Sequence, residues 1–115
     1  MLFDTSIVID VLKNTRKYER GSISSITLLE IIRGTRDAEM SEVLELLRQM
    51  YRVYDLDDDV IRVYSKLYQG LESSKRKFKE HDLIIAATAY AKSEKLITSD
   101  NDFKVLKDLL DIGIG

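Results

Sequence analysis

Five acidic side chains stand where a chain rarely puts charge. Asp4 follows the apolar opening Met1-Leu2-Phe3, and Glu30 lies inside Ile26-Thr27-Leu28-Leu29-Glu30-Ile31-Ile32. Asp82 heads Leu83-Ile84-Ile85-Ala86-Ala87, and Asp100 and Asp102 follow Lys95-Leu96-Ile97-Thr98-Ser99. Carboxylates are seldom buried unless paired or bound to a cation. Several that converge, in a chain with no cysteine, suit a divalent metal working on phosphate. Each acid also has a plainer role. Asp4 and Asp82 could cap helices, Glu30 could pair with Arg33 three residues on, and Asp100 and Asp102 could form a turn around Asn101. Their joint occurrence favours a site, because perturbed carboxylates cluster at functional centres.

The elements that must position these acids follow from the apolar pattern. Leu2-Phe3, residues 22–25, Arg52-Val53-Tyr54 and Leu96-Ile97-Thr98 read as short strands. Helical spacing covers Thr5 to Lys13, Thr27 to Arg33, Glu39 to Met50 and Val60 to Leu71. Asp82 to Ser93 is apolar nearly all round and belongs at the centre. Phe103 to Leu110 reads as a last helix and Ile112-Gly113-Ile114 as a fifth, edge strand. Strands alternating with helices imply a parallel sheet covered on both faces. Ligands then bind at the carboxyl ends of the strands, near the point where strand order reverses. If the strands ending at Phe3 and Thr98 are neighbours, Asp4 and Asp100 face one crevice, and two helices bring in Glu30 and Asp82.

Composition sets bounds. A chain of 115 residues with no proline and five glycines suits one domain over residues 1–115. The absence of cysteine excludes disulfides and thiolate zinc sites. One histidine, His81, gives no histidine-based metal set and lines the turn before Asp82. No signal peptide or membrane-length apolar run is visible, so the expected location is the cytoplasm, with no membrane partner. A net charge of -2 argues against an indiscriminate nucleic-acid coat but not against a nuclease. Basic runs stand at Arg16-Lys17, at Arg33 with Arg36, and at Lys75-Arg76-Lys77-Phe78-Lys79. The last is either a solvated loop or a binding patch in which Phe78 stacks on a base. Ser6 and Thr98 are either donors to the acids or turn residues. The run Asp55, Asp57, Asp58, Asp59 reads as a solvated loop with a helix cap.

The chain resembles PIN-domain ribonucleases, and most of all the VapC toxins of prokaryotic toxin–antitoxin pairs. Leu2-Phe3-Asp4-Thr5-Ser6-Ile7-Val8-Ile9-Asp10 is similar to the family's first motif. Residues 24–34, Ser to Gly around Glu30, resemble the second. Asp82 to Ala89 resembles the third and Leu96 to Phe103 the fourth. Any one of these is weak; four in order, over nearly the whole chain, are specific. The resemblance implies a three-layer α/β/α sandwich and a magnesium- or manganese-dependent endoribonuclease. It also implies a homodimer and a cognate VapB-like antitoxin that occludes the site. The family's acids map onto Asp4, Glu30, Asp82 and Asp100, with Asp102 as a further acidic position. Asp4 and Asp100 are the first choice as direct ligands, joined by Asp82 and Asp102, and Glu30 and Asp82 could act through water or orient the nucleophile. In this chemistry a water activated by the cation attacks the RNA phosphodiester in line. Arg33, Lys75, Arg76, Lys77 and Lys79 are expected to hold the RNA backbone.

Other classes fit less well. A receiver-type phosphoacceptor wants an acidic pair near the first strand, and Asp4 has no acidic neighbour. A haloacid-dehalogenase-like phosphatase wants a second Asp two residues on, where Ser6 stands. A non-catalytic scaffold that binds RNA or a partner without cutting is the remaining alternative.

Overall fold

The computed structural model describes residues 1–75, 77–103 and 106. In chain order the elements are β1 (Leu2–Phe3), α1 (Thr5–Leu12), β2 (Gly21–Ser24), α2 (Ser25–Arg33), a short 3-10 turn at Asp37–Glu39 and α3 (Met40–Met50). Then come β3 (Tyr51–Tyr54), α4 (Asp58–Ser73), α5 (Glu80–Ala91), β4 (Leu96–Ile97) and a 3-10 turn at Asn101–Phe103. Among the described residues the strands form one parallel sheet in the order β3-β2-β1-β4. The expected last helix, beyond Phe103 and the buried Leu106, and the expected strand at Ile112–Ile114 lie outside the described residues.

Strand alternation builds the layers. Successive side chains of a strand point to opposite faces, and β1 pairs with β4 so that Leu2 meets Leu96 and Phe3 meets Ile97. Leu2 and Leu96 therefore join one core, with Val60, Leu67 and Leu71 of α4 and Leu83, Ile85 and Ala86 of α5. Phe3 and Ile97 join the other, with Ile7 and Val8 of α1, Leu28 and Ile31 of α2 and Leu47 of α3. The result is the three-layer sandwich. The alanines at 86, 87 and 89, all fully buried, explain how α5 lies inside the molecule, packed on α4 and touching β2 and α2.

Helix starts follow the caps. Asp4 accepts from Ile7 N, Ser24 from Ile26 N and Asp57 from Val60 N. Asp57 is thus the cap expected of the acidic run, while Asp58 and Asp59 belong to the first turn of α4 rather than to a loop. Their charge suits the positive end of the helix macrodipole.

Gly21 marks the tightest approach in the sheet. A Cβ there would lie 2.5 Å from the Phe3 ring and 2.8 Å from the Met1 carbonyl oxygen. The ring is itself held edge-on against Tyr51, 5.8 Å between centroids. Gly21→Ala should therefore destabilise the protein by about 1–3 kcal/mol, as overpacking does. Urea unfolding checks this, and a variant with unchanged midpoint and slope would contradict it.

Candidate functional site

The β1–β4 pairing carries Asp4 and Asp100 to one edge of the sheet. The ladder runs one step past the strands, with Asp4 N donating to Ile97 O at 3.1 Å. β2 and β3 lie on one side of β1 and β4 on the other, so strand order reverses at β1, where a crevice opens in such sheets.

Asp4 is 3% exposed, yet its carboxylate is well provided for. Oδ1 accepts from Ser6 Oγ at 2.7 Å and from Ile7 N at 3.0 Å. Oδ2 accepts from Thr98 Oγ1. Thr98 Oγ1 in turn accepts from Asp100 N at 3.0 Å. Ser6 and Thr98 are donors to the acid and not only turn residues, and Thr98 ties Asp4 to the backbone that presents Asp100. Asp4 is the N-cap of α1 as well as a candidate site residue.

Glu30 enters from α2. Its Oε1 accepts from Thr5 Oγ1 at 2.6 Å, and Thr5 Oγ1 also lies 3.0 Å from Thr27 Oγ1. No ion pair joins Glu30 to Arg33 among the described residues; Arg33 is exposed at the end of α2. Instead His81 Nε2 lies 3.6 Å from Glu30 Oε2 and 3.6 Å from Asp82 Oδ1, one imidazole between the carboxylates of two helices.

Asp82, in the first turn of α5, is 8% exposed. Burial pushes its carboxyl above the usual carboxylate range, and the charges of Asp100 and Glu30 add to that, while His81 and Lys79 oppose it. Asp82, Asp100 and Glu30 therefore share one electrostatic field. Among the described residues no three His, Asp or Glu side chains converge closely enough to form a ready metal cage. The Asp102 side chain lies outside the described residues, and so does Arg76. Lys75, Lys77 and Lys79 are exposed on the chain leading into α5.

Three threonines were not singled out in the sequence. Thr5 donates to Glu30 across a helix pair and lies against Thr27; the only hint was a hydroxyl residue in the first turn of each helix. Thr88, fully buried on α5, donates to Ile84 O at 2.8 Å and lies 3.4 Å from Ser24 Oγ. A threonine within an otherwise apolar helix was its signal.

The PIN-domain family model matches residues 1–109. Ribonuclease VapC1 of Methanocaldococcus jannaschii is 34% identical over 111 residues, covering 94% of this chain and 82% of that protein. Among solved structures, VapBC-1 from nontypeable Haemophilus influenzae superposes with a TM-score of 0.82 at 25% identity, covering 99% of this chain and 95% of that one. VapBC-5 from Mycobacterium tuberculosis, a member of the VapBC family of toxin-antitoxin systems, gives a TM-score of 0.76 at 28% identity, covering 98% and 94%.

Asp82 generates a stability prediction. A raised folded pKa means that the folded state binds the proton more tightly than the unfolded chain. The metal-free fold is therefore favoured at low pH and loses stability as pH rises from the ordinary carboxylate value through the folded one. Asp82→Asn removes that loss. Its melting temperature in EDTA should exceed the parent's near neutral pH, and the gap should close below about pH 4. A variant that melts lower at neutral pH with its structure intact would show that Asp82 is not electrostatically strained.

Proposed function

The chain belongs to the PIN-domain family, and we propose that it is a single-domain, divalent-metal-dependent endoribonuclease acting as the toxin of a toxin–antitoxin pair. The observation that carries this reading is the gathering of acids near the β1/β4 edge, with Asp4 and Asp82 buried and the charges of Asp100 and Glu30 acting on Asp82. The name ribonuclease borne by the relative from M. jannaschii and the toxin–antitoxin complexes among the structural neighbours support it. The partners under this reading are RNA, a VapB-like antitoxin and a second copy of the chain. No helix among the described residues is long and apolar enough to cross a membrane, which accords with a cytoplasmic place of work.

The donor chemistry fits a hard cation such as Mg²⁺ or Mn²⁺. The acids offer oxygen alone, and Asp82 is held as a strained anion that positive charge would relieve. Asp4, Asp82 and Asp100, with Asp102 beside them, would hold the ion. When bound, it supplies Lewis-acid activation of water and offsets charge growing on the phosphate. The chain's own residues do the rest. Ser6, Ile7 N and Thr98 fix the Asp4 oxygens in one orientation. Glu30, aimed by Thr5, accepts a proton or orients the attacking water. His81 fills the gap between Glu30 and Asp82 and keeps the two carboxylates from facing each other bare. Exposed Lys75, Lys77, Lys79 and Arg33, with Arg76, offset the field of the acids and draw phosphates inward.

A scaffold that binds RNA without cutting is the reading favoured by the lack, among the described residues, of a preassembled cage. Cleavage by antitoxin-free protein, with and without Mn²⁺, separates the two. Calorimetric Mn²⁺ titration should lose its signal in Asp4→Asn and Asp100→Asn but not in Asp58→Asn, which sits exposed on α4. Thr98→Val, which removes one donor to Asp4, should weaken Mn²⁺ binding about 10- to 100-fold. Identical isotherms across this set would remove the acids from the metal site.

The basic segment is tested by salt. Replacing Lys75, Lys77 and Lys79 with Ser should weaken RNA binding and flatten the log–log salt slope by about 0.7 per cation lost. Mn²⁺ affinity should stay as it was. An unchanged slope would make these lysines a solvated loop.

A further inference from the structure

A groove between α4 and the first turn of α5 plays no part in the acid site. It encloses about 500 Å³, within the roughly 300–1,000 Å³ of small-ligand pockets. Tyr64, Tyr68 and Phe78 wall it, Lys77 stands at it, and Glu72 and Glu80 bring carboxylates to it. The aromatic walls are fixed. Tyr64 and Tyr68 stack one helical turn apart, 6.3 Å between centroids and 27° between planes. Phe78 is braced edge-on against Phe103 at 5.7 Å. Tyr64 Oη donates to Glu80 at 2.7 Å. Tyr68 remains 50% exposed, a large flat ring offered to solvent.

The groove neighbours the candidate active site along α5. Glu80 opens α5 and lines the groove; His81, the next residue, lies against Glu30 and Asp82. The groove is thus within one helical turn of Asp82, with the exposed Lys77 and Lys79 on the segment that leads into α5.

We propose that this groove is a nucleobase subsite, stacking one unpaired base that flanks the scissile phosphate. The proposal rests on the ribonuclease reading and names the form of its substrate: single-stranded RNA with a base free to leave the stack. Aromatic faces accept any base by stacking. The Glu72 and Glu80 carboxylates can accept hydrogen bonds from exocyclic amines, which phosphates lack. The lysines carry the backbone. A second protein copy would more naturally cover the adjoining apolar patch of Leu56, Ile61 and Ile84, whereas this groove brings Lys77, Glu72 and Glu80 beside its aromatic rings.

The test uses the full chain in EDTA, so that binding is read without cleavage. The probe is a short single-stranded RNA carrying one 2-aminopurine, beside an RNA of equal length with an abasic residue at that place. Wild type and Tyr68→Phe should quench the fluorophore. Tyr68→Leu should abolish the quenching and weaken binding about tenfold, with Mn²⁺ affinity unchanged. The abasic RNA should bind wild type and Tyr68→Leu alike. Equal affinity and quenching in wild type and Tyr68→Leu would overturn the proposal, as would abasic RNA binding wild type as tightly as the base-bearing strand. If Tyr68→Leu alters only the sedimentation coefficient, the groove belongs to a second copy and the proposal falls. In a parallel reaction with Mn²⁺ in place of EDTA, cleavage of the RNA by protein that does not quench the fluorophore overturns the subsite alone; absence of binding in EDTA and of cleavage with Mn²⁺ overturns the ribonuclease reading with it.

Discussion

The in-register pairing of β1 with β4 is the constraint on which the site depends. Leu2 meets Leu96 and Phe3 meets Ile97, and the two cores accept those side chains in only one phase. A slip of one residue would turn each strand's apolar residues to the wrong layer. The hydrophobic requirement on each face thus fixes the register, and the register delivers Asp4 beside Ile97 and Thr98. The hydrogen bonds from Thr98 to Asp4 and from Asp100 N to Thr98 then lock the two strand ends together. Site geometry is here a by-product of core packing.

Two buried acids at helix starts are treated in opposite ways. Asp4 has three donors aimed at it. Asp82 sits at the positive end of α5, where the helix field favours an anion by about 0.3–1 kcal/mol. That is not enough: burial and the neighbouring Asp100 and Glu30 charges win, and its carboxyl titrates high. One acid is pre-oriented and the other is strained. The pair suits a site in which one group is a fixed anchor and another gains most when positive charge arrives.

Much of this was legible in the sequence because its signals are local. The apolar doublets at Leu2-Phe3 and Leu96-Ile97 announced strands, and the aspartates at 4 and in the run before α4 announced helix starts. What was not legible depends on long-range contacts. Thr5 is 22 residues from Thr27 and 25 from Glu30, and only the packing of α1 on α2 brings it to both. His81 reads as a turn residue because its contact with Glu30 lies on another helix. The start of α5 was placed two residues late, since Lys79 precedes it without a side-chain cap and leaves no mark. Phe78 stands in a basic run that suits either a solvated loop or a stacking patch, and nothing local shows that Phe103, far along the chain, meets its ring and that it is half-buried.

The shortness of β1 has a mechanical meaning. Two residues of strand span about 7 Å, so the floor of the acid crevice is also close to the opposite rim of the sheet. Gly21 stands near that rim against the Phe3 ring, and Phe3 is bonded directly to Asp4. Close-packed interiors pass strain on rather than absorb it, and no second turn of strand intervenes to dissipate it. The Phe3 residue alone thus stands between the close contact at Gly21 and the Asp4 carboxylate.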